Sequence, residues 1–153
     1  LSDYEDTVGA KTGSLLRLGC RAGAMVAGAD AETVAGYGDF GYSLGILTQV
    51  WNDFYGLAGT GGKSDVGHSR TLPILAALAL DGVQYQPDSA EGQAGQLYAL
   101  AQFQALHQRA AEALARCPAP GHLARFLDVY SIDHLLQGES SQVRSSGEGD
   151  DAK

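Results

Sequence analysis

The sequence predicts an all-α fold, and three observations carry that prediction. Apolar residues recur at spacings of three and four along most of the chain, no stretch alternates apolar and polar residues as a half-buried strand would, and no solenoid-like repeat is present. At 153 residues the chain has the size of one ordinary domain and is long enough to bury a core. Hydrophobic residues at 44% against charged residues at 18% describe a well-buried body rather than a disordered one. We place the helical domain at residues 1–137 and a disordered tail at 138–153, where serine, glycine and acids cannot bury enough surface to fold.

From Asp3 to about Ala29, Val8, Leu15, Leu16, Leu18, Ala22, Met25 and Val26 follow helical spacing on more than one side, which predicts an interior helix. Ala29-Asp30-Ala31-Glu32 has the short, acidic side chains of a helix start. The next apolar series runs Val34, Tyr37, Phe40, Leu44, Leu47, Val50, Trp51, with Gly36, Gly38, Gly41 and Gly45 inside it. Glycines cost helix stability unless a close neighbour compensates, so their density predicts tight helix approach. That helix should end near Gly56, where a glycine-rich loop begins. Thr71-Leu72-Pro73 opens a short apolar helix with proline in its first turn, where a missing N–H does no harm, and Ile74 to Leu80 reads as fully buried. Gly82 and Pro87 mark a break from Asp81 to Ser89. A long helix follows from Ala90 to Arg116, with glutamines and Arg109 on one side and Leu97, Leu100, Phe103, Leu106 and Leu114 on the other. Cys117-Pro118-Ala119-Pro120-Gly121 ends it, and His122 to Gln137 forms a last helix packing through Leu123, Phe126, Leu127, Tyr130, Leu135 and Leu136.

Charge and cysteine usage exclude several classes. With 18 acidic and 10 basic residues the net charge is -8, which argues against sequence-independent binding to nucleic acid or anionic lipid. Cys20 and Cys117 belong to no C-x-x-C pair and read as buried thiols of a cytoplasmic protein rather than a disulfide. No run of eighteen apolar residues and no signal-peptide pattern is present. The chain opens on Leu1, which is compatible with a piece of a longer polypeptide.

Most of the chemically able side chains converge between Gln49 and Pro73. On a helix, Gln49, Asn52, Asp53 and Gly56 stand at i, i+3, i+4 and i+7 and share one face. Gly59, Gly61 and Gly62 then offer backbone N–H groups, Lys63 an ammonium and Arg70 a guanidinium. Carboxylate and amide oxygens beside fixed cations suit a magnesium-bridged phosphate better than an apolar ligand. His68 reads as an exposed loop histidine, and His107, His122 and His134 are not spaced as a metal set.

The order of motifs from Tyr4 to Leu80 resembles a known family. Tyr4 is followed seven residues later by Lys11-Thr12, then by Tyr37-Gly38, Gln49-x-x-Asn52-Asp53, Gly62-Lys63, Asp65 and Thr71-Leu72-Pro73. This series is similar to the C-terminal half of a trans-isoprenyl (polyprenyl) diphosphate synthase, and the fold it implies is half of an isoprenoid-synthase-type helical bundle. The resemblance implies that Lys11 binds the diphosphate of an allylic substrate, although alone it reads as a surface lysine. It also implies that Gln49 lines that diphosphate and Lys63 contacts its phosphates, with Arg70, five residues beyond Asp65, near a second family lysine. Asn52 and Asp53 would be the catalytic and metal-binding positions, with Mg2+ as cofactor.

Two departures qualify what the resemblance implies. The family's second aspartate-rich motif has two aspartates, two apolar residues and a third aspartate, whereas this chain reads Asn52, Asp53, Phe54, Tyr55, Gly56. Losing two of three carboxylates weakens a magnesium site, because the ion prefers hard anionic oxygens. The family's first aspartate-rich motif belongs to an N-terminal half with no counterpart in this chain, so this polypeptide alone is expected not to complete a prenyl transfer. The expected function is therefore condensation of isopentenyl diphosphate with an allylic diphosphate, with the missing half or a partner chain supplied, in a homo- or heterodimer. The alternative is a non-catalytic isoprenoid-diphosphate-binding or accessory subunit.

Overall fold

The computed structural model describes residues 2–57, 70–81, 85–118 and 121–134. Among them no strand is present, and the elements run α1 (Ser2–Val8), a π-helical turn (Gly9–Gly13), α2 (Ser14–Val26), α3 (Ala31–Leu57), α4 (Leu72–Asp81), α5 (Ala90–Ala115) and α6 (Gly121–Asp128). The proposed tail at 138–153 and the packing residues Leu135 and Leu136 lie outside the described residues.

Local chemistry sets the element ends. Gly28 takes a positive φ of 75° just beyond α2, the left-handed conformation that glycine adopts without a Cβ clash, and its N–H donates back to the Met25 carbonyl at 3.0 Å. Two residues on, the Asp30 carboxylate accepts from the Thr33 N–H at 2.8 Å and starts α3. Hydrogen bonds from the Thr33 backbone and side chain, with one from the Glu32 backbone, hold the Asp30 carboxyl below its ordinary range. Ser89 caps α5 in the same way, its hydroxyl accepting from the Gly92 N–H at 3.0 Å.

α3 and α5 form the spine. Phe40, Leu44, Leu47 and Val50 from α3 meet Ala99, Phe103, Leu106, Ala110 and Leu114 from α5, with Leu127 of α6 against them. Trp51 extends this contact, its ring centroid 5.7 Å from Phe103, 5.3 Å from Tyr55 and 5.5 Å from Tyr130. Toward the N-terminal end of α5, Gly95 lets α4 approach closely: a Cβ there would stand 2.4 Å from the Pro73 carbonyl oxygen.

The glycines of α3 have the role their density predicts. A Cβ at Gly45 would lie 2.7 Å from the Gly13 Cα and from the Thr12 carbonyl oxygen, and one at Gly41 would lie 2.5 Å from the Leu16 carbonyl oxygen. At Gly38 it would meet Arg21 at 2.8 Å. The partners descend from Arg21 to Leu16 to Gly13 as the glycines ascend, so the segment from α1 to α2 runs antiparallel along one stripe of α3 in near backbone contact. Tyr42 lies over Gly9 and Gly13 on that interface, and the Arg17 guanidinium sits 4.9 Å from its ring centroid.

Three expectations are corrected. α2 is not interior: Ala24 is its buried residue, whereas Leu15, Leu18, Met25 and Val26 are exposed. Helical spacing identified its apolar side, but α3 covers the side that presents small residues and backbone. Ile74 to Leu80 is not uniformly buried, since Leu80 is exposed at the helix end, and Leu97 lies on the open side of α5. The last helix is not continuous over 122–137: α6 ends at Asp128, the chain turns through Val129 and Tyr130, and residues 132–134 are helical again, with 135–137 outside the described residues. Both cysteines are free thiols, Cys117 buried and Cys20 half-buried, and burial raises each above its ordinary range.

Candidate functional site

The polar end of α3 is built on the same stripe as the glycines. Gly45, Gln49 and Asp53 stand at i, i+4 and i+8, so the positions that touch the π turn continue directly into an amide and a carboxylate. Antiparallel packing then brings Tyr4 of α1 to Asp53. The Tyr4 phenol donates to Asp53 Oδ2 at 2.6 Å, Gln49 Nε2 donates to Oδ1 at 3.1 Å, and the Leu72 N–H at the start of α4 donates to Oδ2 at 2.8 Å.

Asp53 is only 6% exposed, and a carboxylate at that depth is tolerable because donors surround it. Burial, then the hydrogen bond and charge of Asp53, push the Tyr4 phenol far above its ordinary range. Tyr4 therefore stays a donor at any physiological pH.

The expected face is divided by depth. Gln49 is half-buried beside Asp53, whereas Asn52 and Gly56 are exposed, and a Cβ at Gly56 would meet nothing within 4 Å. Lys11 is exposed in the π turn and Arg70 is exposed two residues before Leu72. A π turn adds a residue to the helix without breaking it and shifts the side chains that follow, a device frequent at functional positions. Here it is bounded by the glycines Gly9 and Gly13 that admit Tyr42, with Lys11 at its centre. Lys63, the glycines before it, Asp65 and His68 lie outside the described residues.

Among the described residues, no three His, Cys, Asp or Glu side chains gather as a metal set. Asp53 has both oxygens engaged by three protein donors, and Asn52 adds one neutral amide. A carboxylate has room for about four donors, so little of Asp53 is left for an ion. These two residues do not make a magnesium site by themselves, although magnesium commonly binds through one or two carboxylates plus substrate phosphates.

Sequence reasoning placed Gln49 and Asp53 on one face and the structure joins them. It gave no role to Tyr4, which the motif order included, nor to the Leu72 N–H. The Tyr4 to Lys11 spacing was the available signal for the first, and a distant backbone donor leaves no signal for the second. Tyr98 is exposed on α5, while Phe103 is buried against Trp51 as a packing residue.

Comparison with known proteins shows the family of the chain. The polyprenyl synthetase family model matches residues 1–86. The geranylgeranyl diphosphate synthase of Mycobacterium tuberculosis is 32% identical over 152 residues, covering 95% of this chain and 42% of its own length. The decaprenyl-diphosphate synthase of Dictyostelium discoideum is 33% identical over 75 residues, covering 49% of this chain and 16% of its own length. The chain thus spans less than half the length of these relatives. No solved structure matches significantly.

Proposed function

Because this chain belongs to the polyprenyl synthetase family, we propose that it forms the diphosphate-holding side of a trans-prenyltransferase. The reaction joins isopentenyl diphosphate to an allylic diphosphate in isoprenoid biosynthesis. The observation that carries this reading is the juxtaposition on α3: the π turn bearing exposed Lys11 packs at Gly45, and Gln49 and Asp53 follow on the same stripe.

In this reading Lys11, Gln49, Lys63 and Arg70 receive the diphosphate. As the allylic carbon–oxygen bond breaks, negative charge grows on the leaving diphosphate, and fixed cations and N–H donors stabilise it. The double bond of isopentenyl diphosphate attacks the allylic cation, and a proton is lost to the released diphosphate. Magnesium, which the family resemblance implies, would neutralise the leaving group when bound. Asn52 and Asp53 are the oxygens this chain has at the expected metal position, and they fall short of a metal set.

The part of the family's length outside this chain would supply the remaining carboxylates. It would also cover the apolar side of α2, where Leu15, Leu18, Met25 and Val26 are exposed. A homo- or heterodimer in the cytoplasm is the setting we propose, and no described helix is long and apolar enough to cross a membrane.

The test is incubation of the complete gene product with labelled isopentenyl diphosphate, a panel of allylic primers and magnesium. Labelled polyprenyl diphosphate is the expected result. No product with any primer would overturn the enzyme reading. One observation favours a second reading, a non-catalytic diphosphate-binding or accessory subunit: the single carboxylate on this face is already occupied by protein donors.

A further inference from the structure

Asp53 stands at a position where the resemblance implies a metal ligand, yet its surroundings describe a different task. Oδ2 accepts two hydrogen bonds at once, from the Tyr4 phenol at 2.6 Å and the Leu72 N–H at 2.8 Å, while Oδ1 accepts from Gln49 at 3.1 Å. Tyr4 lies 49 residues before it and Leu72 lies 19 after it. One buried carboxylate therefore ties together α1, α3 and the first residue of α4.

The two ties that reach beyond α3 each lead to an exposed cation. Lys11 follows Tyr4 by seven residues, about 10 Å along a continuous helix. Arg70 precedes Leu72 by two residues. We propose that Asp53 is a positioning residue: by fastening α1 and the start of α4 to α3, it sets where Lys11 and Arg70 meet a diphosphate. Tyr4 is the second half of the latch, since it donates to the same oxygen that anchors Leu72. This assignment rests on the diphosphate-binding reading above, and it differs from metal ligation in a measurable way. A metal ligand matters only when metal is present, whereas a latch matters with or without it.

The experiment measures binding of inorganic diphosphate to the complete gene product by calorimetry, once with excess magnesium and once with a chelator. Asp53→Asn keeps the side-chain shape but removes its charge and one acceptor oxygen. It is expected to weaken binding by about tenfold, the worth of one charge-assisted hydrogen bond, and by the same factor in both buffers. Tyr4→Phe is expected to weaken it several-fold, again equally, and the double variant no more than Asp53→Asn alone. Ser89→Ala, which lowers stability through the start of α5, is expected to leave the affinity unchanged.

Amide hydrogen exchange at Leu72 supplies a readout independent of ligand. Its N–H donates directly to Asp53, so exchange should accelerate in both latch variants. An Asp53→Asn protein that loses only the magnesium-dependent part of its affinity would overturn the proposal in favour of metal ligation. So would unchanged binding in Tyr4→Phe. If the wild-type protein takes up no diphosphate, the functional reading falls. Leu72 exchange then decides the latch on its own, and an unchanged rate in Asp53→Asn removes it.

Discussion

Tyr4 donates a 2.6 Å hydrogen bond to a carboxylate that is itself buried, and the strength of that bond follows from where it sits. Hydrogen bonds to charged groups contribute about 1.5–3 kcal/mol, so Tyr4→Phe should lower unfolding free energy by about that amount near neutral pH. The pH dependence has a fixed sign. The phenol is raised in the folded protein, so the fold keeps this proton at pH values where the unfolded chain releases it. Its contribution is complete below the ordinary tyrosine value of about 10 and declines as pH rises above that. Denaturant titrations of wild type and Tyr4→Phe should therefore converge above about pH 10. A gap that stays constant there would mean that Tyr4 does not hold its proton against Asp53. Nearby, Asn52 is exposed and Gly56 has open space around it, so Asn52→Asp with Gly56→Asp should fold normally and restore the family's acidic pattern. Tighter magnesium-dependent diphosphate binding and higher activity of the complete protein are expected. Unchanged values would show that the lost carboxylates are not what limits it.

Among the elements, α3 does most of the organising, and its glycines make that possible. Gly45→Ala would place a Cβ 2.7 Å from the Gly13 Cα, where backbone rather than a flexible side chain must move. Overpacking of this kind costs about 1–3 kcal/mol, and the displaced segment is the π turn that bears Lys11. A lower thermal midpoint together with weaker diphosphate binding is the expected outcome, and full affinity would place the turn's position outside the site's requirements. Ser89→Ala should cost about 1 kcal/mol by thermal unfolding, the usual worth of an N-cap, because its hydroxyl accepts from Gly92.

These elements were largely legible in the sequence. Helical spacing found α3 and α5 to within a residue or two, and glycine density foretold close helix approach. Spacing could not show that α2 leaves Leu15, Leu18, Met25 and Val26 exposed, because periodicity reports an apolar side without reporting what covers it. Nor could it place Asp53 in a three-way latch, since two of its donors come from segments 49 and 19 residues away. The i, i+4 relation of Gln49 and Asp53 was legible because both lie on one helix.

At the scale of the molecule, a helical body of net charge -8 keeps two exposed cations, Lys11 and Arg70, on segments fastened to the polar end of α3. An acidic protein gains nothing from general attraction to a diphosphate, so binding must come from cations placed individually. The exposed apolar side of α2 and the coverage of 42% of a relative's length are the two observations on which the proposal of further helices rests. Calorimetric titration of geranyl diphosphate into the complete protein and its Lys11→Ala variant tests the diphosphate site most directly. Binding by the wild type, weakened about tenfold or more in Lys11→Ala, is the predicted result. Equal affinity of the two proteins, or no binding by either, would contradict it.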